Sequence, residues 1–240
     1  VGGTHVKLLA SGHRTPREFS SGPTLTPRQM VKRVKALTVD WRYEAVSLGF
    51  PGAVLHGTIA AEPANLGRGW VGFDFGRAFG CPVKIINDAA MQAVGSYRGG
   101  RMLFLGFGTG LGTALIVDGV IEPMELAHLP FKSSTYEDYV GLRGLRRHGK
   151  KKWRRHVQAV ATYLLVALEA DDLVLGGGNA RLIKRLPKGG RLVTNANAFK
   201  GGYRLWAPRA HGRAAIDAPS GQAGSLPPGR PSSRRIKAGR

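Results

Sequence analysis

Three glycine clusters constrain this chain more than any other feature: Gly2-Gly3, the run 106–112, and Gly176-Gly177-Gly178, each bordering a short apolar run. Glycine lets a backbone approach a phosphate closely and turn several N–H groups toward it. A tight turn would explain any one cluster. Three at strand ends point to nucleotide or phosphate binding. The best-known phosphate loops are excluded. Gly110-Leu111-Gly112 leads into an apolar strand pattern over 113–117, not into the helix that a Rossmann loop requires. No Gly-Lys-Ser/Thr closes any cluster, which removes the Walker loop. Asp74-Phe75-Gly76 lacks the His-Arg-Asp loop and strand lysine of a protein kinase.

The first two clusters head a weak internal repeat. Gly2-Gly3-Thr4 precedes an apolar run over 6–10 and a Ser11-Gly12 turn, and 108–113 precedes an apolar run over 114–117 and an Asp118-Gly119 turn. Each reads as a glycine loop entering one arm of a β-hairpin, and two such units predict related half-domains facing across a cleft. Elsewhere short apolar runs alternate with amphipathic stretches, the pattern of an α/β protein. Thr26-Pro27 predicts a helix start, with Met30, Val31, Val34 and Leu37 on one face. Strands are expected over 44–48, 83–86, 102–105 and 173–175, and helices over 88–97 and 153–170.

The charge is localised. Lys and Arg number 36 against 15 Asp and Glu, for a net +21. The run 141–155 holds eight basic residues and no acid, and 207–240 holds seven with Asp217 alone opposing them. Such clustering predicts one or two anion-contacting regions, with nucleic acid, polyphosphate or acidic lipid as possible ligands. From Pro208 onward the chain is Gly, Pro, Ala, Ser and Arg with few large apolar residues, so 208–240 is expected to be a disordered basic tail. A nucleic-acid-binding arm is the other reading of that segment. No apolar run reaches the roughly 18 residues of a membrane span. Cys81 is the single cysteine, which excludes an internal disulfide and a cysteine-rich zinc site. No signal-peptide pattern opens the sequence, and a cytoplasmic location is expected.

Against this background Gly2-Gly3-Thr4-His5-Val6-Lys7 resembles the first phosphate motif of sugar kinases with the actin-like ATPase (ribonuclease H-like) fold. Asn87-Asp88-Ala89, Gly108-Thr109-Gly110 and Gly176-Gly177-Gly178-Asn179-Ala180 match the later motifs in order and spacing, over about residues 1–206. The chain thus resembles the ROK-family sugar kinases, particularly the polyphosphate-using glucokinases. The resemblance implies a two-lobed α/β fold with a cleft between an N-terminal lobe, 1–88, and a C-terminal lobe, 89–207. It implies transfer of a terminal phosphoryl group from polyphosphate, ATP or both to the glucose 6-hydroxyl, with Mg²⁺, by a homodimer. Neither a membrane nor a nucleic acid is implied as partner. Residue by residue, it implies Gly2, Gly3, Thr4, Lys7, Gly108, Thr109 and Gly110 at the phosphates and Gly177, Gly178 and Asn179 at a nucleotide. At the sugar it implies Asn65, Asn87, Asp88, Glu125, His128 and Glu137. Many ROK kinases hold zinc with one His and three Cys; the isolated, upstream Cys81 predicts no zinc here. The family's first motif begins with an aspartate that helps place Mg²⁺, just before the Val-Gly-Gly that opens this sequence; that residue is absent from the chain.

The residues also carry their own chemistry. An attacking hydroxyl must lose a proton, and the Asp88 carboxylate is the candidate base. Its plainer role is the N-cap of the following helix, and the two roles are compatible. Glu125 and His128, three apart, can accept from and donate to neighbouring sugar hydroxyls, or form a surface turn before Pro130. Lys150, Lys151, Lys152 and Arg154 read as a strip for polyphosphate, or as a solvated helix start. Two other functions stay open: a sugar-sensing ROK regulator, a class that carries a helix-turn-helix ahead of the first phosphate motif, and an inactive truncated homologue.

Overall fold

The computed structural model describes residues 1–207, so the tail expected over 208–240 lies outside the described residues. The first half begins with β1 (His5–Leu8) and β2 (Arg17–Ser20), paired antiparallel with Val6 opposite Phe19. The expected turn lies between them, with Gly12 at φ +82°. Helix α1 (Pro27–Leu37) starts where the sequence places it. Thr26 and Gln29 exchange side-chain and backbone hydrogen bonds in a capping box, and Met30, Val31 and Val34 are buried. There follow β3 (Val46–Phe50), the small hairpin of β4 (Val54–Leu55) and β5 (Thr58–Ile59), α2 (Phe75–Phe79), β6 (Val83–Asn87) and α3 (Asp88–Ser96). Strands β3 and β6 pair in parallel, from Val46 opposite Val83 to Phe50 opposite Asn87. The strand expected over 44–48 therefore lies two residues later, because pairing with β6 sets its ends.

The second half contains β7 (Arg101–Phe107), β8 (Leu111–Val117), β9 (Val120–Pro123), β10 (Pro130–Phe131) and β11 (Ser134–Thr135). Helices α4 (Tyr136–Val140) and α5 (Leu142–Ala167) come next, then β12 (Asp172–Gly176), β13 (Gly190–Leu192) and α6 (Asn197–Arg204). One mixed sheet has the order β13-β12-β7-β8-β9, with β12 parallel to both its neighbours. Asp118 and Gly119 join β8 to β9 with φ of 49° and 87°, as a two-residue hairpin turn requires.

The strands alternate faces with period two. Met102, Phe104 and Val174 pack with Ala93 and Val94 of α3, whereas Leu103, Leu105, Phe107, Leu173 and Leu175 pack with Trp153, Val157, Val160 and Leu164 of α5. Burial on both faces is why these strands read as continuous apolar runs. Trp153 is fully buried, and its indole N–H donates to the Val140 carbonyl at 2.7 Å. Helix α5 starts at Leu142, well before the expected Trp153, because arginines interleave with Leu142 and Leu145 and blur the apolar stripe. Gly149, at φ 70° and ψ 163°, interrupts its helical backbone.

Helices α3 and α6 cross in backbone contact. A Cβ on Gly95 would collide with the Asn197 carbonyl, and one on Gly201 with the Met91 carbonyl. Helix α6 also reaches the first half of the chain. Ser47 Oγ donates to Gly202 O at 2.6 Å, Trp206 Nε1 donates to Ser47 Oγ at 2.8 Å, and Lys84 Nζ donates to Leu205 O at 2.7 Å. Arg191 closes the sheet edge, pairing with Asp172 at 2.6 Å and donating to the Ser96 carbonyl. Among the described residues no helix is long and apolar enough to cross a membrane. Because Gly201 has no room for a methyl group, Gly201→Ala is expected to cost about 1–3 kcal/mol, the range for overpacking. A lower urea midpoint at unchanged slope would register it, and an unchanged midpoint would refute the tight crossing.

Candidate active site

The second and third glycine clusters form one structure. Gly106 pairs with Gly176 across the parallel strands and with Gly112 across the hairpin. Gly177, at φ 83°, lies so close to Phe107 that a Cβ would come within 2.5 Å of its carbonyl oxygen. Asn179 then bridges the loops: its backbone N–H donates to Phe107 O at 2.9 Å and its side-chain amide to Gly108 O at 3.0 Å. The first cluster packs elsewhere. A Cβ on Gly3 would meet Asn65 Cβ at 3.1 Å, and the Val1 amino group donates to Gly49 O at 2.7 Å.

Asp88 stands where the two halves of the chain meet. Asn87, not Asp88, caps α3: its Oδ1 accepts from Ala89 and Ala90 N–H at 2.9 and 3.2 Å, while its amide donates to Gly52 O at 3.0 Å. The Asp88 carboxyl is therefore not the cap, though it too accepts from the Ala89 N–H. On one side Gly49 of β3 lies against the Asp88 backbone, where a Cβ would sit 3.6 Å from Asp88 Cα. On the other, Gly112 of β8 touches Ala89, where a Cβ would approach to 2.7 Å. Burial pushes the Asp88 carboxyl above the usual carboxylate range, against the opposing pull of the Val1 ammonium.

A cavity of about 590 Å³ opens beside the second loop, lined by Thr109, Glu137, Asp138, Leu142, Arg143, Arg146 and Arg147. Glu137 Oε2 accepts from Leu111 N–H at 3.1 Å, and Leu142 N–H donates to Thr109 O at 3.0 Å. Asp138 accepts from the Ser134 and Thr135 hydroxyls and from Arg143, and these bonds hold its carboxyl below the usual range. Nearby, Glu125 and His128 flank a single 3-10 turn with Oε1 and Nε2 3.7 Å apart, both largely exposed. Thr113 Oγ1 holds that turn to β8, accepting from Leu126 N–H and donating to Met124 O.

No protein-family model matches the chain. It is 27% identical over 196 residues to a polyphosphate glucokinase of Mycobacterium tuberculosis, covering 75% of this chain and 69% of that protein. Its backbone is similar to an inorganic polyphosphate/ATP-glucomannokinase from Arthrobacter sp. strain KM, with a TM-score of 0.66 at 24% identity over 84% of this chain and 93% of that one. A ROK family glucokinase from Streptomyces griseus gives a TM-score of 0.64 at 16% identity, covering 84% and 95%. This chain has the ROK sugar-kinase fold of the actin-like ATPases. It is a distant homologue of polyphosphate glucokinase.

Within the ROK fold the expected residues fall into separate groups. Gly108, Thr109, Gly110, Gly177, Gly178 and Asn179 lie on the two joined loops, with Glu137 against them. Gly2, Gly3 and Asn65 lie together near the chain start, where exposed Lys7 pairs with Glu18 at 3.6 Å. Beyond Gly149, Lys150, Lys151 and Lys152 are exposed, whereas Arg154 Nε donates to Leu182 O at 2.6 Å and braces α5. The cavity wall of Arg143, Arg146 and Arg147 was hidden in the basic run; its signal was the i, i+3, i+4 spacing on one helix face. Among the described residues no group of three or more His, Cys, Asp or Glu could hold a metal, and Cys81 is half-buried with its thiol pushed up by burial.

The raised Asp88 carboxyl has a consequence for stability. A carboxyl whose folded-state pKa is raised weighs against folding once both states are ionised, and contributes no penalty where both are protonated. Asp88→Asn is therefore expected to raise the thermal midpoint at about pH 7 and to leave it nearly unchanged at about pH 3. A midpoint lowered at neutral pH would show that the fold stabilises the carboxylate.

Proposed function

We propose that this protein is a sugar kinase that transfers the terminal phosphoryl group of polyphosphate or ATP to the 6-hydroxyl of glucose. The observation that carries the reading is the position of Asp88, the first residue of α3, whose backbone lies against Gly49 of β3 while its neighbour Ala89 meets Gly112 at the end of the second glycine loop. Distant homology to polyphosphate glucokinase supports it. As the 6-oxygen bonds to phosphorus, the bond from phosphorus to the leaving phosphate breaks, and the hydroxyl proton passes to Asp88. A carboxyl whose pKa is raised above the ordinary value is a stronger base than an ordinary carboxylate. Thr109 and Gly110 of the second loop supply backbone N–H groups for the donor, that of Gly108 being donated to Gly110 O, and Glu125, His128 and Asn65 supply partners for sugar hydroxyls. Lys150, Lys151 and Lys152 extend the positive surface.

The family implies Mg²⁺, which keeps several waters and is usually held by one or two carboxylates plus substrate phosphates. Among the described residues no cluster of carboxylates is gathered for it, so the donor's phosphates and water would be its main ligands, and Mg²⁺ when bound would neutralise charge on the transferring group. Positioning and this neutralisation would provide most of the rate, with the base adding its share.

Asp88→Asn is expected to lower kcat on the order of 10²-fold or more while glucose affinity is kept, since the amide preserves size but cannot take the proton. A variant retaining more than about a tenth of the rate would remove Asp88 as the base. The wild-type rate should fall as pH drops through a value above the ordinary carboxylate range. Glu125→Gln and His128→Ala are expected to act on KM for glucose instead. An unpaired sugar hydroxyl costs about 1–3 kcal/mol, which raises KM several-fold or more. An unaltered glucose dependence in both would exclude them from the sugar site.

A further inference from the structure

We propose that Glu62 is a positioning residue for the sugar site: its carboxylate closes the segment 62–71 into a ring and thereby fixes Asn65 at the crest. That Asn65 meets a sugar rests on the reading above; the closure of the ring does not.

The segment contains neither helix nor strand, so its shape comes from a few anchors. Pro63 and Leu66 are buried, and Trp70 is fully buried against Phe50 and Phe75, with ring centroids 5.5 and 6.1 Å away. Gly67 N–H donates to Leu25 O at 3.0 Å, and a Cβ at Gly67 would lie 3.0 Å from that carbonyl. Ala64 and Asn65 are left exposed between buried Pro63 and Leu66. Asn65 is set over the first glycine cluster, where a Cβ on Gly3 would come within 3.1 Å of its own Cβ.

Glu62 joins the two ends of this segment. Its Oε2 accepts from Trp70 N–H and its Oε1 from Val71 N–H, both at 3.2 Å. Gly69, at φ 90°, makes the turn that aims successive N–H groups at one place, an arrangement that suits an anion. Hydrogen bonds to a carboxylate are stronger than those between neutral groups. Against the cost of desolvation, the N–H groups of Trp70, Val71 and Gly69 and the charge of Arg68 hold the Glu62 carboxyl below its usual range, so it is ionised at neutral pH.

The two kinds of anchor do different things. Apolar burial is non-directional and keeps Pro63, Leu66 and Trp70 at depth, whereas the paired bonds of Glu62 have preferred angles and set the spacing of the ring's ends. Both Glu62 oxygens are turned to the backbone, so the residue acts through the ring and not on a sugar. A crest ordered in advance leaves less ordering for the ligand to impose. The effect of Glu62 therefore belongs in sugar affinity and not in proton transfer at Asp88.

Isothermal titration of the full chain with glucose tests this, comparing wild type, Glu62→Ala, Glu62→Gln, Asn65→Ala and Glu62→Ala/Asn65→Ala. Asp40→Asn, which loses an exposed pair with Arg17 in the same half of the chain, controls for the loss of a carboxylate. Glu62→Ala is expected to bind glucose at least about fivefold more weakly, with Glu62→Gln intermediate because its amide oxygen still accepts one N–H, and the control unchanged. Should Glu62→Ala fail to fold, Glu62→Gln carries the same comparison. The double variant is expected to stay within about twofold of Asn65→Ala, since both changes act on one contact. The rate at saturating glucose is expected to stay within about twofold of wild type in the Glu62 variants. Unaltered glucose affinity in Glu62→Ala, losses that multiply in the double variant, an equal loss in Asp40→Asn, or a lowered rate with KM kept would each overturn the proposal. Amide hydrogen exchange at Trp70 and Val71 reads the ring itself and is expected to quicken in both Glu62 variants; unchanged exchange would overturn the closure. Glucose binding that depends on Glu62, in a protein that forms no glucose phosphate from polyphosphate or ATP, would sustain the ring and overturn the kinase reading.

Discussion

The site depends on backbones that approach more closely than side chains would allow. Gly112 against Ala89 brings the second glycine loop to the start of α3, and Gly177 against Phe107 brings the third cluster onto the second. The same device recurs at Gly95 and Gly201, where α3 and α6 cross. Each contact has no room for a methyl group. Helix α3 is consequently held from three sides, and the Asp88 carboxyl at its first turn is placed by the packing of the whole helix.

Electrostatics acts on top of that framework. The excess of positive charge is spread unevenly, and in α5 it divides by function. Arg154 spends its side chain on the Leu182 carbonyl, and Arg143 on Asp138. Arg146 and Arg147 keep their charge for solvent or for a ligand. Asp88 is the counterpart on the acidic side, a carboxyl that burial makes reluctant to ionise.

Much of this was legible in the sequence where the determinant was local. Thr26-Pro27 marked a helix start, Asp118-Gly119 a hairpin, and the apolar runs of β7 and β12 a sheet covered on both faces. Readings that depended on distant partners were less complete. A sequence cannot show that Glu137 would face Leu111 N–H, or that Asn87 and not Asp88 would take the cap. The early start of α5 was obscured because its apolar residues alternate with arginines, and because Gly149 looks like a stop until Trp153 is seen buried beyond it.

The return of α6 to β3 and β6 bears on how the chain is made. Ser47 and Lys84 find their partners only in Gly202, Leu205 and Trp206, near the far end of the described residues. During synthesis the first half leaves the ribosome well before those residues exist. It must wait with part of its polar surface unsatisfied and the α6-facing side of α3 uncovered. Contacts of such long sequence separation are slow to close. A helix made late among the described elements therefore completes strands made in the first half of the chain.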